Sequence, residues 1–92
     1  SKALESFVFE PNTANTWTKA KAMVENFLTL IWRQGGLAGA KPEDAFQVNV
    51  GLNVTMSAID VAAGMMIVEI VLVPPRPAEV IVLRVSQKLQ VS

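Results

Sequence analysis

The sequence contains no cysteine, no histidine and no tyrosine. Without cysteine there is neither a disulfide framework nor thiolate chemistry, and the redox compartment stays open. Without histidine and tyrosine, the commonest general base, the commonest transition-metal ligand and the phenolic acid are all missing. Charge is also scarce. Charged residues make up 17% of the chain, and eight basic residues balance eight acidic ones. A neutral chain with few charges lacks the basic stripe that a nucleic-acid partner requires, and it has little self-repulsion to keep copies apart. No apolar run is long enough to span a bilayer: the longest, Met65 to Pro75, is interrupted by Glu69. The opening residues lack the charged start and apolar core of a signal peptide.

What remains to carry catalysis is thin. The carboxylates are scattered, with only Glu43 and Asp44 adjacent, and a helical turn at the surface explains that pair better than a metal site. Gly35-Gly36-Leu37-Ala38-Gly39 is rich in glycine, but it follows a helix pattern instead of joining a strand to a helix, which argues against a phosphate cradle. Ser57 and Ser86 have no histidine to activate them. The expectation is a chain that is not an enzyme and holds no cofactor or metal.

Ninety-two residues, 51% of them hydrophobic, make one small domain. Ala3 to Glu5 are good helix formers and read as the last turn of a helix whose body lies upstream, so residues 1–92 are expected to be a fragment of something longer. Ser6 to Phe9 reads as a short extended stretch, and Pro11 then forces a turn. From Trp17, apolar residues recur at Trp17, Ala20, Val24, Phe27, Leu28 and Ile31. At about 100° per residue they fall within an arc of roughly 100°, the buried face of one long helix. Thr13 or Asn15 caps its start, and Gly35-Gly36 supplies the left-handed stop.

Pro42-Glu43-Asp44 reads as a helical turn. Phe46, Val48 and Val50 alternate with polar residues as a half-exposed strand, and Ser57 caps a short turn that Gly64 ends. Two strands close the chain as a hairpin whose register can be argued. Setting Val73 opposite Val80 places Val71 against Val82, Glu69 against Arg84 and Ile67 against Ser86. On the other face Leu72, Ile70 and Val68 then meet Ile81, Leu83 and Val85. This register pairs the two mid-strand charges and keeps the aliphatics together. The predicted fold class is α+β, a small antiparallel sheet with one long helix packed on a face and a C-terminal β-hairpin.

One helix covers one face of such a sheet. Ile67, Val71, Val73, Val80 and Val82 on the second face need another cover, either an upstream segment or a neighbouring subunit. Residues 86–92 keep a β-like alternation and are expected to run beyond the strand they can pair with. That makes them either a frayed terminus or a candidate for exchange into another sheet, with Val85, Gln87, Leu89 and Val91 as its contacts.

Several segments together resemble the C-terminal domain of tail sheath proteins from contractile phages and related injection systems. They are Phe7-Val8-Phe9-Glu10-Pro11-Asn12 with Thr16-Trp17, then Phe27-Leu28 to Trp32, and Gly35-Gly36-Leu37-Ala38-Gly39-Ala40. Pro42 to Val48, Pro74 to Ile81 and Arg84 to Gln87 complete the set, in order across nearly the whole chain. The resemblance implies a structural subunit that stacks in rings around an inner tube and contracts to drive that tube into a target cell. It implies further copies of itself and the tube protein as partners, with no membrane insertion by this domain. The implied location is a virion tail or a cytoplasmic contractile assembly in the producing bacterium. It also implies that terminal arms add strands to neighbouring subunits and that a helix faces the tube, with Lys19, Lys21 and Arg33 as candidate contacts. Two other classes stay open: a tube or baseplate component pairing through sheet edges, and a small ligand-binding or catalytic domain.

Overall fold

In the computed structural model, residues 2–76 and 79–90 are described. The longest element follows from the apolar periodicity. Helix α2 spans Ala14–Arg33 after the short helical turn α1, Lys2–Glu5. Thr13 stands at its N-cap in extended conformation, but its side chain makes no capping bond. At the other end Gly35 has φ +82°, the Gly36 N–H donates to the Ile31 carbonyl and the Gly35 N–H to that of Trp32. This is the paired bonding of a Schellman stop, and only glycine adopts that φ without strain.

Next come α3, Pro42–Ala45, and strand β1, Phe46–Asn49. Helix α4, Ala58–Ala62, opens on a capping box. The Ser57 hydroxyl accepts from the Asp60 N–H at 3.2 Å, and Asp60 accepts from the Ser57 N–H at 2.9 Å. Strands β2, Met65–Leu72, and β3, Ile81–Lys88, complete an antiparallel sheet in the order β1-β2-β3. The hairpin register is the one argued from charge and parity: Ile67 opposite Ser86, Glu69 opposite Arg84, Val71 opposite Val82, and Leu72 opposite Ile81. The fold is thus the expected α+β sheet with one long helix.

The helix buries Thr16, Ala20, Val24 and Leu28, an i, i+4 ridge, against Met66 and Val68 of the sheet and against Val48, Met56 and Leu89. Two expectations fail here. Phe27 is 61% exposed. Its angle on the wheel is right, but among the described residues none stands on the flank that would cover it. Ser6 to Phe9 forms turns instead of a strand, with Phe7 N–H donating to Leu4 and Val8 N–H to Glu5. The reason is spacing. Leu4 and Phe7, three residues apart, are both buried, which a turn permits and an extended chain does not, while Phe9 is left facing out.

The tail also differs from expectation. Its first residues are held in the chain's own sheet: Ser86, Gln87 and Lys88 pair with Ile67, Met66 and Met65, and Leu89, past the start of β2, is only 3% exposed in the core. The Leu89 N–H donates to the Gly64 carbonyl at 2.6 Å, and Gln90 forms a parallel bridge with Pro11. On the second face of the sheet, Val80 and Val82 stay 60% and 58% exposed. At the other end of β2 on that face, the Thr55 hydroxyl donates to the Ile67 carbonyl at 2.6 Å, bringing the loop before α4 close over it.

Candidate interaction surfaces

A three-stranded open sheet has two edges, and an unpaired edge presents N–H and C=O groups to whatever strand arrives. Among the described residues, neither β1 nor β3 has a partner on its outer side. The two edges differ in what surrounds them.

The outer side of β1 faces a trough of about 640 Å³. Lys21, Glu25 and Thr29, one stripe of α2 at i, i+4 spacing, form one wall; Pro42, Glu43 and the β1 residues form the other. Mixed charge in the wall and polar Gln47 and Asn49 on the strand suit a polar extended segment. The outer side of β3 is instead flanked by apolar side chains. Ile81 and Leu83 on the helix face and Val80 and Val82 on the other are all exposed.

A polar row crosses all three strands. Asn49 Nδ2 donates to Glu69 Oε1 at 3.1 Å, and Arg84 Nε donates to Glu69 Oε2 at 3.2 Å. The bond from Asn49, followed by that from Arg84, holds the Glu69 carboxyl below the usual carboxylate range. A depressed folded pKa contributes stability that is present above the unfolded value and is lost as pH falls through the folded one. Wild type is therefore expected to lead a Glu69→Gln variant in denaturant midpoint at neutral pH. That lead should vanish on acidification below the ordinary carboxylate range, as read by urea titrations across pH. The Asp60 carboxyl is lowered too, chiefly by the backbone hydrogen bond from Ser57 and then by its hydroxyl.

The structure places the other candidate residues as follows. Val85 and Gln87 lie in the chain's own β3 ladder, opposite Val68 and Met66, and Leu89 lies in the core. Val91 falls outside the described residues. Lys19 pairs with Glu10 at 3.3 Å, Lys21 lines the β1 trough, and Arg33 is exposed in the last turn of α2. The three cations do not form one patch. Lys19 and Lys21 lie about 160° apart around the helix, and Arg33 is roughly 20 Å along the axis from both. Among the described residues, no group of acidic side chains is arranged to hold a metal ion, and no helix is long and apolar enough to cross a membrane.

A residue missed from sequence is Asn12. Its side-chain amide donates to the carbonyls of Val61 (3.2 Å) and Met65 (3.0 Å), and its oxygen accepts from the Trp17 indole at 2.6 Å. One side chain thereby ties the start of α2 to the end of α4 and the start of β2, beside the point where Leu89 and Gln90 are held. Pro11-Asn12 reads only as a turn, so no local pattern pointed to this role.

No protein-family model and no curated protein matches the chain. Solved structures do. A chain of the anti-feeding prophage baseplate is 41% identical over 96% of this chain, with a TM-score of 0.77. A chain of the sheath complex of an extracellular contractile injection system, PVC, in its contracted state is 44% identical over 94%, with a TM-score of 0.76. This chain spans only 25% and 24% of those two chains. Identity at this level across nearly the whole fold supports a structural component of a contractile injection system.

Proposed function

We propose that this chain is a subunit domain of a contractile sheath, which polymerises around an inner tube and links to neighbouring copies through its sheet edges. The observation that carries the reading is the β3 edge, unpaired among the described residues and flanked by exposed aliphatic side chains, in a fold similar to a chain of a sheath complex. A strand from a neighbouring subunit, laid on the outer side of β3, would satisfy that edge and cover Val80 and Val82 together. Val85 and Gln87 then contribute to the seam through the outer side of β3. The polar trough at β1 offers a second edge of different chemistry.

Such seams suit contraction. Backbone ladders between subunits are directional, yet the loops that lead into them can hinge, so subunits rotate without separating. Contacts with a tube have the opposite requirement and must release. Small polar contacts do so more readily than large apolar ones. Arg33, exposed at the end of α2, and Lys19 on the same outward side are the proposed tube contacts, with Lys21 assigned to the trough instead. The proposed location is the tail or contractile assembly of the producing cell or particle.

Electron microscopy of the full-length protein carrying Val80→Lys and Val82→Lys tests this. Both positions are exposed, so the substitutions should leave stability within about 0.5 kcal/mol. Wild type should form long hollow polymers, and the doubly charged variant should remain as folded, dispersed subunits. Polymers that persist in the variant would remove β3 from the seam. Discrete rings from wild type, in place of extended polymers, would favour a baseplate component, the second reading that the similarity to a baseplate chain supports.

A further inference from the structure

The polar row that crosses the three strands has unused capacity at both ends. Arg84 donates to Glu69 through Nε alone, and its side chain is 56% exposed. Among the described residues, nothing accepts from its two terminal nitrogens. A guanidinium carries five N–H donors, and that terminal pair is a fork that grips a carboxylate with two parallel bonds. At the other end, Asn49 gives its Nδ2 to Glu69, and its Oδ1 takes no bond among the described residues. The row therefore closes on a free acceptor at β1 and on free donors at β3.

The backbone brings Arg84 to the same edge. The Val73 N–H donates to the Ala45 carbonyl, on the β1 side. By alternation, the backbone groups of Glu69 and Val71 also turn towards β1, and those of Val68, Ile70 and Leu72 turn towards β3. Their partners Val85, Leu83 and Ile81 are thereby bonded inside the sheet. Val82, Arg84, Ser86 and Lys88 are left with their N–H and C=O groups facing outward. β3 carries two cations, Arg84 and Lys88, and no carboxylate. A second β3 laid against this edge would bring cations beside cations, which is destabilising. A strand with a carboxylate opposite Arg84 meets the reverse situation.

We propose that Arg84 selects the strand that docks on β3, admitting an extended segment of a neighbouring subunit that sets an aspartate or glutamate opposite it. The selection rests on the β3 seam proposed for the assembly. Glu69 and the incoming carboxylate share one guanidinium, the first through Nε and the second through the terminal fork. Two places along the incoming strand, on the same face, an aliphatic residue meets the exposed Val82. The same charges that admit this segment bar β3 from pairing with a second β3.

Assembly of the full-length protein tests this, with critical concentrations read by sedimentation and folding of each unassembled variant checked by urea denaturation. Arg84→Gln leaves Glu69 and the incoming carboxylate facing each other, and should raise the critical concentration about tenfold or more. The double variant Glu69→Gln with Arg84→Gln removes that repulsion, yet should still assemble severalfold less readily than wild type. In wild-type assemblies, the outward amides of Val82, Arg84, Ser86 and Lys88 should exchange hydrogen about tenfold or more slowly than in the unassembled protein. If those amides are protected but the double variant assembles as wild type does, Arg84 acts only through Glu69, and the inference is overturned while the seam stands. Free exchange at those amides, or a wild type that never assembles, would remove the seam and the inference together.

Discussion

Replacing Leu89 by alanine should cost the domain about 2–5 kcal/mol, the range for emptying a packed aliphatic site. Leu89 is 3% exposed and belongs to the same core as Met66 and Val68, although it lies beyond the last residue of β3. Its N–H is held by Gly64, so the backbone at this point cannot simply swing aside to let the cavity collapse. Val82→Ala, near the start of β3, should cost far less, because its side chain is 58% exposed and little packing is lost. Urea denaturation of the two variants checks this directly. A Leu89→Ala cost no larger than that of Val82→Ala would mean that the strand end is not anchored. The same reasoning changes what a deletion of residues 86–92 would report. It would remove the Ser86–Lys88 pairs and Leu89 together, so loss of assembly in that deletion would follow from unfolding as readily as from loss of an arm.

Asn12→Ala is the second large effect, expected at about 1–3 kcal/mol. The loss exceeds that of one hydrogen bond because three bonds go at once, those to the Val61 and Met65 carbonyls and that from the Trp17 indole, although the Val61 carbonyl keeps its bond from the Gly64 N–H. Asn12→Asp separates the parts of this effect. An aspartate can still accept from the indole, but it has no donor for the Val61 and Met65 carbonyls and places negative charge against both. Its carboxyl pKa in the folded state should therefore be raised. The stability of that variant should recover as pH falls through the raised value, opposite to the behaviour of Glu69. Thermal melts of both variants across pH provide the measurement. A flat profile for Asn12→Asp would show that the carbonyls are reached by water instead.

What the sequence made legible was local or periodic. The hairpin register followed from parity and from the two mid-strand charges, because a slip by one residue would have turned every aliphatic side chain of β2 and β3 to the wrong face. Gly35 and Ser57 marked their helix ends because capping is a matter of adjacent residues. The open flank beside Phe27 was illegible, since periodicity assigns an angle to a side chain and says nothing about whether a neighbour stands at that angle. Leu89 is a mixed case. Its parity with Val85 placed it on the helix face of the sheet, which is the buried side. What holds it there, Gly64 and Pro11, is remote in sequence and has no pattern. The role of Asn12 was illegible for the same reason. Of the candidate contacts, the wheel alone separates Lys19 from Lys21, whereas the trough that Lys21 lines exists only once β1 has been placed.

The anchored end of β3 also sets how the domain would carry a mechanical load. β3 ends at Lys88, opposite the first residue of β2, two residues before Gln90 bridges Pro11, and its eight residue pairs with β2 lie along the direction of departure. A pull applied at Gln90 along the strand axis loads those backbone bonds side by side, in shear, so that no single pair bears the whole force. A pull across the sheet would instead peel them one after another from Lys88. The first resistance to peeling is the clamp formed by Gly64, Leu89 and Pro11. The same eight rungs thus present a stiff direction and a weak one, and the clamp stands where the weak one would begin to open.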